Sequence, residues 1–484
     1  MAGAGTGQQQ HNAWNFTTVR GILACLFRNR LRSEVMIRRI PLRGMAWVAV
    51  FLTFFLSGPS PLRGYSVLSH EALIDAAWDP VIVPLLRARY PNATPAQLRE
   101  AHAYAYGGCV IQDMGYYPFG DRFFSNLTHY VRTGDFVEAL LKDSRNADEY
   151  AFALGALSHY IADNTGHPLA VNRSVPDMYP KLRRKYGKLV TYEEDPGAHI
   201  MVEFSFDAVQ VAGAGYLPRT YHNFIGFKVP EPLLQRAFHD TYDLKFGGFS
   251  LYRDFSIKVY EVSASEIIPS LTQIAWKHER KKIIRVNPRA AQRRFAYRLS
   301  RENYERQVTA GRRNRRRFFR PWSWHWKTTA EEANVGLVAR LLVWTVEVLP
   351  KVGRLRTLNF APPTPQVQDM FIRSFDVTVA RYESDLAKTR SIDLVLPDRN
   401  LDTGAPAEAG RYELEDKAYA KLLCKLAKRH FSGVTPGLRE NILAFYGNLS
   451  VPVAAKQSPK KWRKALRELN ALRTANVQQA AASH

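Results

Sequence analysis

Cysteine is nearly absent from this chain. Cys25, Cys109 and Cys424 are the only three in 484 residues, and they lie far apart. That excludes a disulfide framework or a four-cysteine zinc ribbon, and it leaves Cys109 and Cys424 the role of buried thiols. Long apolar runs are scarce as well. The most apolar stretch, residues 45–56, is short of the roughly 20 residues that a helix needs to cross a bilayer. No internal repeat and no strand-like alternation of apolar and polar residues is present. Acidic residues are undersupplied: 44 Asp and Glu face 68 Lys and Arg, for a net charge of +24. Such an imbalance points to an anionic partner and says little about fold.

What is present divides the chain into four parts: residues 1–64, 65–275, 276–327 and 328–484. In the first, Arg38, Arg39 and Arg43 precede the short apolar run, and SGPSPLRG follows it. A basic segment, a short apolar core and a small-residue stretch make a secretory signal, so the protein is expected to be secreted or periplasmic, with membrane association as an alternative. The third part carries eighteen Lys and Arg against three Glu between residues 277 and 327. Its core, GRRNRRRFFRPWSWHWK, interleaves arginines with Phe318, Phe319, Trp322, Trp324 and Trp326. This composition suits a phospholipid membrane surface, with basic residues on phosphates and aromatic rings among the headgroups. It suits nucleic acid too, where rings stack on bases, and also a solvated basic linker.

Helical signals fill the rest. Thr94 and Pro95 start a helix over 96–110. Residues 122–141 read as one continuous helix, and residues 328–352, 370–388, 414–431, 437–446 and 458–475 as further ones. Residues 177–194, which include KLRRKYGK, read as a surface excursion, and 390–406 as a loop. The expected fold is all-α: a helical domain followed by a mostly helical C-terminal region.

The chemistry concentrates in the second part. In AFALGALSHYIADNTGHPLAVN, His159, Asp163 and His167 follow one another at four-residue steps. Residues at i and i+4 share a helix face, so two imidazoles and a carboxylate aim the same way. These are zinc's nitrogen and oxygen donors; a buried His–Asp pair is the plainer alternative. His199 and Glu203 repeat the spacing. Asp113 sits in IQDMGYYPFGD, among apolar residues where a carboxylate needs a partner. His70 taken alone is a surface or capping histidine, and His129 alone a core one. His222 and His239 read as structural or solvated. Together, His70, Asp113, His129, His159, Asp163, His167, His199 and Glu203 supply donors for more than one metal ion.

In order and spacing this set resembles the bacterial zinc-dependent phospholipase C family, which shares its fold with single-strand-specific zinc nucleases. Asp113 and His129 match its Asp…His pair, HYIAD (His159 to Asp163) its H-x-x-x-D and HIMVE (His199 to Glu203) its H-x-x-x-E. His70 matches the family's first histidine. The resemblance implies an all-α domain binding two or three Zn2+ ions, with Asp163 bridging two of them. It implies that Tyr65 stands where the family has an N-terminal Trp binding zinc through its α-amino group and carbonyl. His167 follows Asp163 more closely than in the characterised enzymes, and Asn172 is a second oxygen donor nearby. The implied activity is phosphodiester hydrolysis, with Asp113 doubling as general base and Tyr116, Tyr117 and Phe119 offered either to a choline-like head group or to the core. The expectation is therefore a secreted zinc-dependent phospholipase C. The alternatives are a zinc-dependent single-strand nuclease with the same site and a non-enzymatic, metal-stabilised binding protein. The oligomeric state is left open.

Overall fold

Capping residues followed by proline set many of the helix starts. Thr94, Thr364, Thr435 and Ser458 each accept a backbone N–H through their hydroxyl, and a proline opens the helix that follows. Proline there loses nothing, because the first N–H groups of a helix have no partner within it. Thr94 adds a capping box with Gln97.

The computed structural model describes residues 67–212, 225–246, 253–286, 361–390, 394–448 and 458–475. In chain order the helices are α1 (Val67–Ala77), α2 (Val83–Arg89), α3 (Pro95–Gly108), α4 (Arg122–Tyr130), α5 (Thr133–Asp143) and α6 (Ala147–Gly166). There follow α7 (Asn172–Met178), α8 (Pro180–Tyr186), α9 (Pro196–Phe206), α10 (Glu231–Tyr242), α11 (Arg253–Val262) and α12 (Ile268–Val286). The C-terminal region adds α13 (Pro365–Lys388), α14 (Glu413–Ala427), α15 (Pro436–Phe445) and α16 (Pro459–Thr474). The described residues contain no strand or sheet, only one isolated bridge between Arg399 and Pro406. The all-α expectation holds. Tyr65, the run 45–56, most of the basic segment and the expected helix 328–352 lie outside the described residues.

Helix α6 is the axis of the core: all but its first two residues are buried. Its Gly155 lies against the Ala105 carbonyl of α3, and Gly108 of α3 lies against the Phe152 carbonyl of α6. A Cβ at these positions would come within 2.2 Å and 2.1 Å of those oxygens. The two glycines therefore let the helix backbones touch. Around this pair, residues of α1, α4, α5, α10, α13 and α14 form one hydrophobic core. Val367, Phe371, Tyr382, Leu401, Leu422 and Leu426 are fully or almost fully buried in it, so the C-terminal region shares the core of the first helices.

The expected helix 122–141 is two helices. Val131 is extended and Arg132 left-handed (φ 48°), which turns the chain between α4 and α5. Tertiary contacts hold this break. Arg132 donates to the Thr241 carbonyl at 2.6 Å, and the first N–H groups of α5, from Gly134 and Asp135, donate to Asp398 at 3.0 and 3.2 Å. Local periodicity carries no sign of an acid that arrives more than 260 residues later. Helix α14 also ends earlier than expected, because His430 and Phe431 adopt left-handed backbone. Cys109 is buried and free; Cys424 is free and only half-buried, so the buried-thiol expectation holds for the first alone.

Candidate metal centre

Helix α1 brings in His70. Its N-terminus is fixed by Asp207, just past α9: the carboxylate accepts from the Leu68 N–H (2.8 Å), the Ser69 N–H (3.1 Å) and the Ser69 hydroxyl (2.6 Å). A carboxylate on free N–H groups is the favourable end of the helix dipole. His70 is thus buried, not the surface or capping residue its local sequence suggests. Asp113 sits on a 3₁₀ turn, Ile111–Tyr116, and His129 in the last turn of α4. Helix α6 supplies His159 and Asp163 one turn apart. His167 opens the π turn His167–Val171, where Pro168 has no N–H to continue the α ladder. Helix α9, capped by Asp195, supplies His199 and Glu203.

These eight side chains meet in one buried cluster, none more than 2 % exposed. Their donor atoms form three groups, each with all atoms within 4.8 Å of one another: His70, His159 and Asp163; Asp113, His129 and His159; His167, His199 and Glu203. Asp163 is the hub. Its carboxylate lies 3.5 Å from His70 Nε2, 3.7 Å from His129 Nε2, 3.1 Å from His159 Nε2 and 3.8 Å from His167 Nε2. His129 Nε2 is 3.2 Å from Asp113 Oδ1. Glu203 Oε1 lies 3.2 Å from His167 Nε2 and 3.1 Å from His199 Nδ1. Every described candidate ligand is therefore in the site. Tyr65 lies outside the described residues.

The cluster has the marks of a metal site. Asp113 Oδ1, His159 Nε2, both Asp163 oxygens, both His167 nitrogens and Glu203 Oε1 are sealed from solvent without a well-formed hydrogen bond. Buried polar atoms rarely stay that way unless a cation or water completes them. The far sides of the rings are held: His129 Nδ1 by the Ser125 carbonyl (2.8 Å), His159 Nδ1 by the Cys109 carbonyl (3.1 Å), and His199 Nε2 by Asn172 Oδ1 (3.0 Å). Donation of one ring N–H to such an acceptor fixes the tautomer and leaves the other nitrogen free for a metal. By this geometry His129 and His159 present Nε2, and His199 presents Nδ1. Asn172, considered above as an oxygen donor, serves instead as the support of His199.

Without a cation the charges divide: burial opposes protonation of His129, but the adjacent Asp113 and Asp163 raise it to about 10. Burial, and then the neighbouring His159, hold the His70 pKa well below the ordinary imidazole value, so it is neutral. Burial pushes Glu203 up to about 8, against the pull of His167. Burial likewise opposes ionisation of Asp163, but the surrounding imidazoles of His159 and His167 win and keep it ionised. A neutral His70 beside an ionised Asp163 and a Glu203 that burial keeps from ionising easily is a donor set that a divalent ion would stabilise.

Other residues went unread in the sequence. Asp402, in the loop before α14, lies 3.8 Å from His167 Nδ1. His102 stacks on Trp78 at 3.7 Å and lies 3.2 Å from Asp75, which also accepts from the Tyr106 hydroxyl at 2.5 Å. The His102–Asp75 pair supports α1 and α3 and adds no atom to the cluster. His239 is exposed beside Asp240, as a solvated histidine should be, and His222 lies outside the described residues. Tyr117 packs edge-on against Tyr260 in the core, Tyr116 lies 5.5 Å from the His129 ring, and Phe119 is exposed.

Residues 69–245 match the model of the zinc dependent phospholipase C family, which supports that family for this stretch of the chain. The match contains all eight clustered candidate ligands and ends well before Asp402. No curated protein and no solved structure matches the chain.

Proposed function

We propose that this protein is a secreted zinc-dependent phospholipase C that hydrolyses the phosphodiester between the diacylglycerol and the phosphorylated head group of a phospholipid. The observation that carries the reading is that two donor groups of a phospholipase C-type domain share His159, and that Asp163 lies within 3.8 Å of a histidine in each of the three groups. Shared donors set metal positions side by side, the arrangement that clamps both the attacking and leaving oxygens of a phosphoryl group.

Bound zinc would supply polarisation of the phosphoryl oxygens and activation of the attacking water. The remaining work falls to the chain. His129 and His159, locked by carbonyls, and His199, locked by Asn172, keep the donors preorganised, so little reorganisation accompanies the reaction. Asp113 is the proposed general base: its Oδ1 faces into the cluster and takes a proton from the water. The proton that Asp113 takes from the water passes to the departing glycerol oxygen, giving diacylglycerol and the phosphorylated head group.

Secretion rests on the basic and apolar stretch before residue 57. None of the described helices is long and apolar enough to cross a membrane. The arginine- and tryptophan-rich segment 277–327 is proposed to hold the enzyme on anionic bilayers.

The test is release of water-soluble phosphocholine from phosphatidylcholine vesicles by the zinc-loaded full chain and by a form beginning at Tyr65, with and without chelator. Chelator-sensitive release is expected. Folded, zinc-loaded protein that releases nothing from vesicles but cleaves single-stranded DNA would make the nuclease reading the better one. Cleavage of neither would leave a metal-stabilised binding protein.

A further inference from the structure

Three of the clustered histidines have the nitrogen that faces away from the donors fixed by a neutral oxygen: the Ser125 carbonyl, the Cys109 carbonyl and the Asn172 amide. His167 is different. Its Nε2 faces Glu203 and Asp163, while its Nδ1 faces a carboxylate, Asp402 Oδ1, at 3.8 Å. That residue comes from the loop before α14, outside the family-matched stretch.

The loop is built to place this carboxylate. Asn400 Oδ1 accepts from the Asp402 and Thr403 N–H groups (3.0 and 3.2 Å), and the Asn400 carbonyl accepts from Gly404 (2.8 Å). Gly404 is left-handed (φ 69°) and passes so close to the Asn164 carbonyl that a Cβ would lie 2.8 Å from it. Two phenols then hold the other carboxylate oxygen: Tyr130, next to His129, donates to Asp402 Oδ2 at 2.7 Å, and Tyr412 at 2.5 Å. The loop backbone is tied to the ligand-bearing helices as well. Leu401 N–H donates to the His129 carbonyl at 3.0 Å, and Asn172, which supports His199, donates through Nδ2 to the Asp402 carbonyl at 2.8 Å.

We infer that Asp402 is a positioning residue for the metal centre. Its carboxylate, 3.8 Å from His167 Nδ1, is too far for a hydrogen bond but places negative charge where it favours the proton on Nδ1, which leaves Nε2 to bind zinc beside His199 and Glu203. The C-terminal region, through this loop, is therefore part of the site. The inference rests on the metal-site part of the phospholipase C reading but not on the identity of the substrate.

The test is a double-mutant cycle on zinc affinity in the full chain, read by competition with a chromophoric chelator, with the visible spectrum of the cobalt-substituted protein recorded alongside. Loss of such a ligand partner costs roughly 10–100-fold in metal affinity. Asp402→Asn is expected to weaken zinc binding by that factor and to change the cobalt spectrum. In a His167→Ala background it should change affinity by less than about twofold, because the residue it acts through is gone. Tyr412→Phe keeps the carboxylate and removes one of its hydrogen bonds; it should give a smaller loss with the same dependence on His167, and it reads the same coupling if the first variant does not fold. Equal losses with and without His167 would show a merely structural role and overturn the inference, as would unchanged affinity in both variants. Intact coupling in a protein that releases no phosphocholine would refute the lipase reading alone.

Discussion

Substitution of Gly155 by alanine is the sharpest probe of how the site is held. In an ordinary helix interior this change stabilises by about 1 kcal/mol, through backbone entropy. Here the new Cβ would lie 2.2 Å from the Ala105 carbonyl oxygen and 3.0 Å from both Cys109 N and Gly108 Cα. All three are backbone atoms, so no side chain can swing aside. Relief requires α3 and α6 to part by roughly 1 Å, and overpacking of this kind costs about 1–3 kcal/mol or more. A gap of that size also forfeits a quarter to a half of the dispersion energy along the seam. The clash should win, for a net loss of about 2 kcal/mol, or roughly 2–3 °C in Tm for a core of this size. The effect should reach the metal, because His159 is oriented by the Cys109 carbonyl at 3.1 Å, immediately beyond that seam. Zinc affinity is expected to fall about tenfold or more. Calorimetry with and without zinc, together with chelator competition, reads both effects. Gly197→Ala is the control: its Cβ would meet only Asp195 Oδ1 at 3.5 Å, and it should be neutral or mildly stabilising. Gly155→Ala with wild-type Tm and zinc affinity would refute the close-packing account.

Other outcomes follow from the same geometry. Chelation should lower Tm and raise susceptibility to proteolysis, since it leaves a buried cluster of carboxylates and imidazoles without a cation; an unchanged Tm on complete zinc removal would contradict this. Asp207→Ala removes three hydrogen bonds at the start of α1 and should cost about 2 kcal/mol or more of stability, with α1 amides the first to lose hydrogen-exchange protection. Glu415 is pushed up to about 8 by burial, although Asn400 and the Glu408 N–H both donate to it. The native state therefore binds more protons than the unfolded chain between about pH 4.5 and 8, and this contribution to stability is lost as pH rises through that window, by up to about 5 kcal/mol. Glu415→Gln should flatten the fall in Tm between pH 5 and 9, and an unaltered pH profile would exclude Glu415 as its source.

The legible parts of this molecule are those whose signal is local. Four-residue steps put His159, Asp163 and His167 on one face and likewise His199 and Glu203, and both spacings survive into the site. Caps such as Thr94 with Pro95 mark helix starts to within a residue. What the sequence hid are the partners that arrive from a distance. The break at Arg132 depends on Thr241 and Asp398, and the burial of His70 on Asp207. Asp398 and Asp207 meet free N–H groups, and Arg132 reaches a backbone carbonyl, each more than a hundred residues away in the chain, and no periodicity reports that.

Asp402 is the clearest case, and it changes how the chain divides. By composition it is one more turn residue in PDRNLDTG, a stretch whose Asn and Gly predict a loop and nothing else. Yet the same loop caps α5 through Asp398, exchanges hydrogen bonds between Thr133 and Arg399, and reaches the carbonyl of His129. A segment that only decorated the domain would need none of these ties, and would not bury Leu401, Asn400 and Asp402. Residues 397–412 are better understood as a wall of the metal centre supplied late in the chain. It follows that cutting the chain after residue 275 removes this wall as well as the basic segment. Such a fragment should lose both stability and zinc affinity, even though it retains all eight clustered donors. Removing residues 287–327 alone, which spares α12, should leave zinc binding intact and weaken only attachment to anionic vesicles. Zinc affinity of the two deletions, measured side by side, separates these roles: equal affinity would mean that the late loop contributes nothing to the centre.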